Sequence, residues 1–145
     1  MASTRLYFLK QCAPNVSELV AIEPDHESAE HLRTALKNSM PGVESQVIET
    51  DLQNWEGPSD PVDFILLFHV LHCVPDGERP EFFKKLRDQW LAPGGYVTIM
   101  YAIHTHSPGN GNMIFERLAT AQILWRDIEA DLQKAGFTKH CAYES

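Results

Sequence analysis

An α/β fold, a parallel sheet with helices on both faces, is what this sequence predicts, and three observations predict it. The run Val20-Ala21-Ile22-Glu23-Pro24-Asp25 is apolar, ends in one acid and then gives a helix-entry signal. Phe64-Ile65-Leu66-Leu67-Phe68-His69-Val70-Leu71-His72-Cys73-Val74 is a second, longer apolar run. After one helix-length stretch, Leu91-Ala92-Pro93-Gly94-Gly95 leads into a third. Apolar strands separated by helical patterns are the mark of parallel βαβ units.

The elements follow in order. Leu6 to Cys12 reads as a short helix stopped by Ala13-Pro14-Asn15. Glu18 to Glu23 is a buried strand. Asp25 caps the next helix, whose Ala29, Leu32 and Leu36 share one face at spacings of three and four. Met40-Pro41-Gly42 ends it. Gln46 to Thr50 is a second strand, closed by Asp51. A loop through Trp55, Gly57, Pro58 and Pro61 precedes a third strand, Val62 to Phe68, apolar on both faces as a central parallel strand must be. Pro80 opens a helix that turns Phe83, Leu86 and Trp90 inward. Pro93-Gly94-Gly95 breaks that helix, and Tyr96 to Tyr101 forms the next strand. Ser107 to Asn112 is a loop, with helices expected around Met113–Ala119 and Asp127–Ala135. Gly136 suits a left-handed cap, and Phe137 to Tyr143 is a last strand.

The 145 residues form one domain, 1–145, with 43% hydrophobic and 22% charged residues, a globular composition. A net charge of −8 argues against a phosphate backbone as partner, so no nucleic acid is expected. Lys84-Lys85 and Arg87 are the one basic cluster, and they read as a solvated helix face. Neither a spanning apolar segment nor a signal-peptide layout is present, so no membrane association is expected. Three cysteines, Cys12, Cys73 and Cys141, stand at unrelated spacings. That suits a reduced, cytoplasmic chain.

Glu23 is the first candidate for chemistry. A carboxylate is an acceptor and can take both hydroxyls of a nucleoside sugar, and α/β folds hold riboses at such strand ends. An acid at a helix entry also interacts with the helix dipole, so a structural role stands beside the functional one. Asp51 is in the same position after the second strand, where it also reads as a turn residue. Phe68 and His69 leave the third strand at its carboxyl end, the ligand side of open α/β sheets. His69, His72 and Cys73 have the types but not the spacing of a closed zinc site, even with His104 and His106 added. No metal is expected. Gly109-Asn110-Gly111 does not follow a strand and open a helix, so it reads as a loop.

In this order of acidic strand end, post-strand Asp51 and Leu91-Ala92-Pro93-Gly94-Gly95, the chain resembles the class I S-adenosylmethionine-dependent methyltransferases. The resemblance runs from the helix before that family's second strand through its sixth. It implies a Rossmann-like sheet and S-adenosylmethionine as cofactor. It implies that Glu23 binds the ribose, that Asp51 and Leu52 contact adenine, and that Phe68 borders the adenosyl group. Ile22-Glu23-Pro24 and the Phe68 to Val74 segment are most similar to the histamine N-methyltransferase-like branch. A polar side chain at the third strand's end holds the substrate amine in that branch. Here it is His69, which can accept a hydrogen bond from an amine or take its proton near neutral pH. The implied reaction is methyl transfer to a nitrogen of a small-molecule amine, with His69 as the catalytic residue.

The family's first strand and Gly-x-Gly turn, and its final antiparallel strand, have no counterpart in this pattern. Three closures are open: a piece of a longer protein, direct pairing of the strands ending at Glu23 and Phe68, or association of two copies. Each alters the cofactor pocket. A competing reading is therefore a non-catalytic binding or assembly module of the same fold, favoured by the missing glycines and opposed by Glu23 and Asp51. A homodimer is expected, because Val62–Phe68 carries only Asp63 and Tyr96–Tyr101 no charge to protect an edge.

Overall fold

The computed structural model describes residues 2–100 and 125–138, with side chains at 4–100 and 127–138. The expected elements at 107–119, the end of the expected last strand beyond 138, and His104, His106 and Cys141 lie outside the described residues.

Helix α1 (Ala2–Cys12) leads into strand β1 (Glu18–Ile22). Helix α2 (His26–Ser39) begins where the sequence places it: the Asp25 carboxylate accepts the Ser28 N–H at 2.8 Å, satisfying one of the helix's orphan donors. That bond to Ser28 holds the Asp25 carboxyl below its ordinary pKa. Ala29, Leu32 and Leu36 are buried on one face, and Leu32 and Leu36 form a cluster with Leu6 and Met40. Strand β2 (Glu44–Ile48) returns parallel to β1 in the register Glu18–Glu44 to Ile22–Ile48. The Glu23 N–H extends the ladder by one bond to the Ile48 carbonyl, 3.1 Å.

Strand β3 (Val62–Phe68) pairs in parallel with β4 (Leu91–Met100). Between them lie two short 3₁₀ turns, Leu71–Cys73 and Asp76–Glu78, then α3 (Arg79–Lys85), which runs into a π-helical stretch, Leu86–Trp90. Phe83, Leu86 and Trp90 are buried as expected. They join Leu67, Leu71, Ile128 and Ala135 in a second core cluster. Helix α4 (Trp125–Lys134) supplies Ile128 and is tied to α3 by the buried Arg79 Nε–Asp131 Oδ2 ion pair at 2.9 Å. Gly136 follows α4 at φ +85°, and the Phe137 N–H bonds back to the Leu132 carbonyl at 3.0 Å, the expected left-handed cap.

Several boundaries differ from the sequence reading: α1 starts at Ala2, four residues before Leu6, β1 ends at Ile22, one residue before Glu23, and α4 runs Trp125–Lys134 in place of Asp127–Ala135. β4 starts at Leu91, not Tyr96, because Pro93-Gly94-Gly95 does not end pairing. It is accommodated as an irregularity, with Val62 opposite Leu91 and Phe64 opposite Tyr96. Gly94 at φ +80° makes that possible, since a side chain would oppose the left-handed backbone. β2 also starts two residues earlier and ends before Thr50.

The α/β architecture with parallel strands is the predicted class. Its strands form two parallel pairs, β1–β2 and β3–β4. Direct pairing of β1 with β3, one of the three expected closures, is not formed among the described residues. Side chains and loops join the pairs instead. Tyr96 Oη donates to the Cys12 carbonyl at 2.9 Å, Phe8 of α1 meets Phe68 at 6.2 Å between ring centroids, and Gln53 Nε2 donates to the Cys73 carbonyl at 2.5 Å.

Candidate active site

Parallel strands put their carboxyl ends on one side of each pair, and the expected site residues sit at those ends. Glu23, the residue after β1, is 8% exposed. Its Oε2 accepts Arg5 Nη1 at 2.6 Å, and its Oε1 lies 3.3 Å from the Asp25 N–H. Pro24 directly after it favours the extended backbone that separates strand from helix.

Arg5 was not among the residues expected from the sequence. Its guanidinium pairs with Glu23 and also lies over the Phe68 ring, 5.9 Å from the centroid. One cation therefore bridges the carboxyl ends of β1 and β3. The signal in the sequence was an arginine directly before the apolar run Leu6-Tyr7-Phe8-Leu9. Periodicity alone gives such a residue no partner.

Phe68 is half-buried, and His69 packs edge-on against it at 4.6 Å. His69 has φ +52°, a left-handed conformation uncommon for a side-chain-bearing residue, while its N–H still donates to the Met100 carbonyl at 2.9 Å. The ladder thus continues one residue past β3 as the chain swings into the Leu71–Cys73 turn. Backbone outliers of this sort gather at functional sites. Although the residue is largely exposed, partial burial of the ring lowers its pKa from the ordinary 6.5, and the charges of Arg5 and His72 act in the same direction. A neutral imidazole at pH 7 follows.

Asp51 and Leu52 lie after β2. Asp51 accepts the Asn54 N–H on Oδ1 and the Asn54 side-chain amide on Oδ2, both at 2.8 Å. Each oxygen keeps further acceptor capacity. Leu52 is half-buried against the Leu67 and Leu71 cluster, so it ties this loop to the β3 side of the molecule. Beside it, Glu49 accepts from His26 and Arg33, which hold its carboxyl below the usual carboxylate range. Glu23, Phe68 and His69 are thus gathered around Arg5, whereas Asp51 and Leu52 stand on the neighbouring loop. Among the described residues, no group of three or more His, Cys, Asp or Glu side chains is gathered for a metal.

The donor set fits the nucleoside half of a cofactor: an acceptor-only carboxylate at a strand end, an aromatic ring across from it, and a second carboxylate on the next loop. A family-model match supports a class I S-adenosylmethionine-dependent methyltransferase. The chain belongs to the methyltransferase domain family, whose model matches residues 4–142. No curated protein matches the chain. Among the described residues, no helix is long and apolar enough to cross a membrane.

Proposed function

We propose that this chain acts in methyl transfer from S-adenosylmethionine to a nitrogen of a small-molecule amine, in the manner of the histamine N-methyltransferase-like branch and in the cytoplasm. The observation that carries the reading is the convergence of Glu23, Phe68 and His69 at the carboxyl ends of β1 and β3. When bound, S-adenosylmethionine supplies an electrophilic methyl group. Glu23 would accept the ribose hydroxyls, Asp51 the exocyclic amine of adenine, and Leu52 would turn its remaining exposed side to the ring. Phe68 would flank the adenosyl group. His69, neutral at pH 7, would orient the acceptor nitrogen and take its proton.

The test is a transfer assay with methyl-labelled cofactor and a panel of amines and alcohols. Label is expected on nitrogen, with a rate that falls as the pH drops. A base with a lowered pKa stays competent further into acid, so the midpoint of that fall is expected below 6.5. Label on oxygen, or a midpoint above 6.5 that persists in His69→Gln, would refute the assignment of His69. The separation of the strands into two pairs favours a second reading, a non-catalytic binding or assembly module.

The proposal includes a homodimer. β4 carries no charged residue and β3 carries only Asp63. Val20 is 46% and Tyr96 50% exposed. Two-stranded sheets are marginal by themselves, and a second copy would pair the edges left without a partner strand among the described residues. Sedimentation at low micromolar concentration is expected to give a species of twice the 16.4 kDa chain mass; a single 16.4 kDa species would rule the dimer out.

A further inference from the structure

The two residues placed nearest the nucleoside, Glu23 and Phe68, are both engaged by one side chain. Arg5 Nη1 sits 2.6 Å from Glu23 Oε2, and the same guanidinium lies 5.9 Å from the Phe68 centroid. Glu23 is therefore not waiting for a ligand. Its carboxylate holds a charge-assisted hydrogen bond, the strong kind. The Arg5 side chain is 29% exposed and the Glu23 side chain 11%, so the cation is the more exposed of the two partners. Arg5 is also on a helix in contact with α2, while its partners follow β1 and end β3. A movement of its side chain alone would open the carboxylate.

We propose that Arg5 is a latch on the nucleoside subsite: its ion pair with Glu23 competes with ribose hydroxyls for the carboxylate and must be released before they can bind there. This rests on the reading of Glu23 as the ribose acceptor and adds a regulation that reading does not contain. A ligand then binds only the fraction of molecules with the latch open, and its apparent affinity is reduced by that fraction. Release costs a charged hydrogen bond, and two neutral hydroxyls replace it. Salt screens a part-buried contact pair only weakly, so removing the guanidinium, not raising the ionic strength, is what opens the carboxylate.

The probe is 5′-methylthioadenosine, which has the nucleoside and no charge of its own, titrated calorimetrically into the full chain and into Arg5→Met. The variant is expected to bind about tenfold more tightly. If the unaltered chain binds and Arg5→Met, folded by its circular dichroism, binds equally or more weakly, the latch is wrong and the ribose reading stands. If neither binds, the ribose reading falls and takes the latch with it. Should Arg5→Met fail to fold, Arg5→Gln, which keeps a polar side chain without the charge, is titrated in its place; the same tightening is expected, and equal or weaker binding overturns the latch.

Discussion

Replacing Phe83 by alanine is expected to remove about 3–5 kcal/mol of folding stability, the usual cost of emptying a large aromatic site in a packed core. Phe83 is fully buried and stands in the cluster that joins Leu67 of β3, Leu71 of the following turn, Leu86, Trp90 and Ile128 of α4. The Phe82 ring meets it at 5.8 Å between centroids and in turn meets Trp90 at 6.2 Å. Little in that shell can collapse into the space. Single domains are stable by only about 5–15 kcal/mol, so the loss would be a large share of the total. It would also reach the site, since Leu67 directly precedes Phe68 and His69. Urea denaturation of the variant checks this; a loss under about 1 kcal/mol would mean that the cluster does not hold the β3–β4 half together.

Glu23→Ala is expected to act mainly on binding. On the proposed reading the carboxylate would offer the ribose two acceptors, and hydrogen bonds to charged groups are worth about 1.5–3 kcal/mol each. Removing both should lower nucleoside affinity by about a hundredfold or more. The fold should tolerate the change better. The partner left behind, Arg5, is 29% exposed and can be solvated, and no backbone ladder bond runs through the Glu23 side chain. This substitution also separates the enzyme reading from the module reading. If both stability and every measurable nucleoside affinity are unchanged, Glu23 is a relic and the module reading gains.

The parts of this architecture that could be read from the sequence are those that local rules control. Helix α2 was legible because Asp25 is a cap by type and Ala29, Leu32 and Leu36 repeat at helical spacing. β3 was legible to both ends because an apolar run bounded by Pro61 and His69 has little other use. The start of β4 was not, since proline and two glycines normally end a strand, and only the partner strand shows that they form a bulge. The places of Glu23 and His69 just after β1 and β3, and of Phe68 as the last residue of β3, were legible because apolar runs mark where those strands end. Arg5 was not. Its importance comes from contacts across 18 residues to Glu23 and across the gap to Phe68, and no local pattern encodes such contacts. The division of the strands into two pairs was similarly invisible, because apolar patterning says which faces are buried and not which edges meet.

The most direct measurement is calorimetric titration of S-adenosylhomocysteine into the unaltered chain and into Glu23→Ala. The account predicts one site per chain in the first and an affinity lower by about a hundredfold or more in the second, with both proteins folded. Equal binding by the two would contradict the placement of the nucleoside at the carboxyl end of β1. Absence of binding to the unaltered chain, and to the same chain supplied with a preceding strand and glycine-rich turn, would contradict cofactor use altogether.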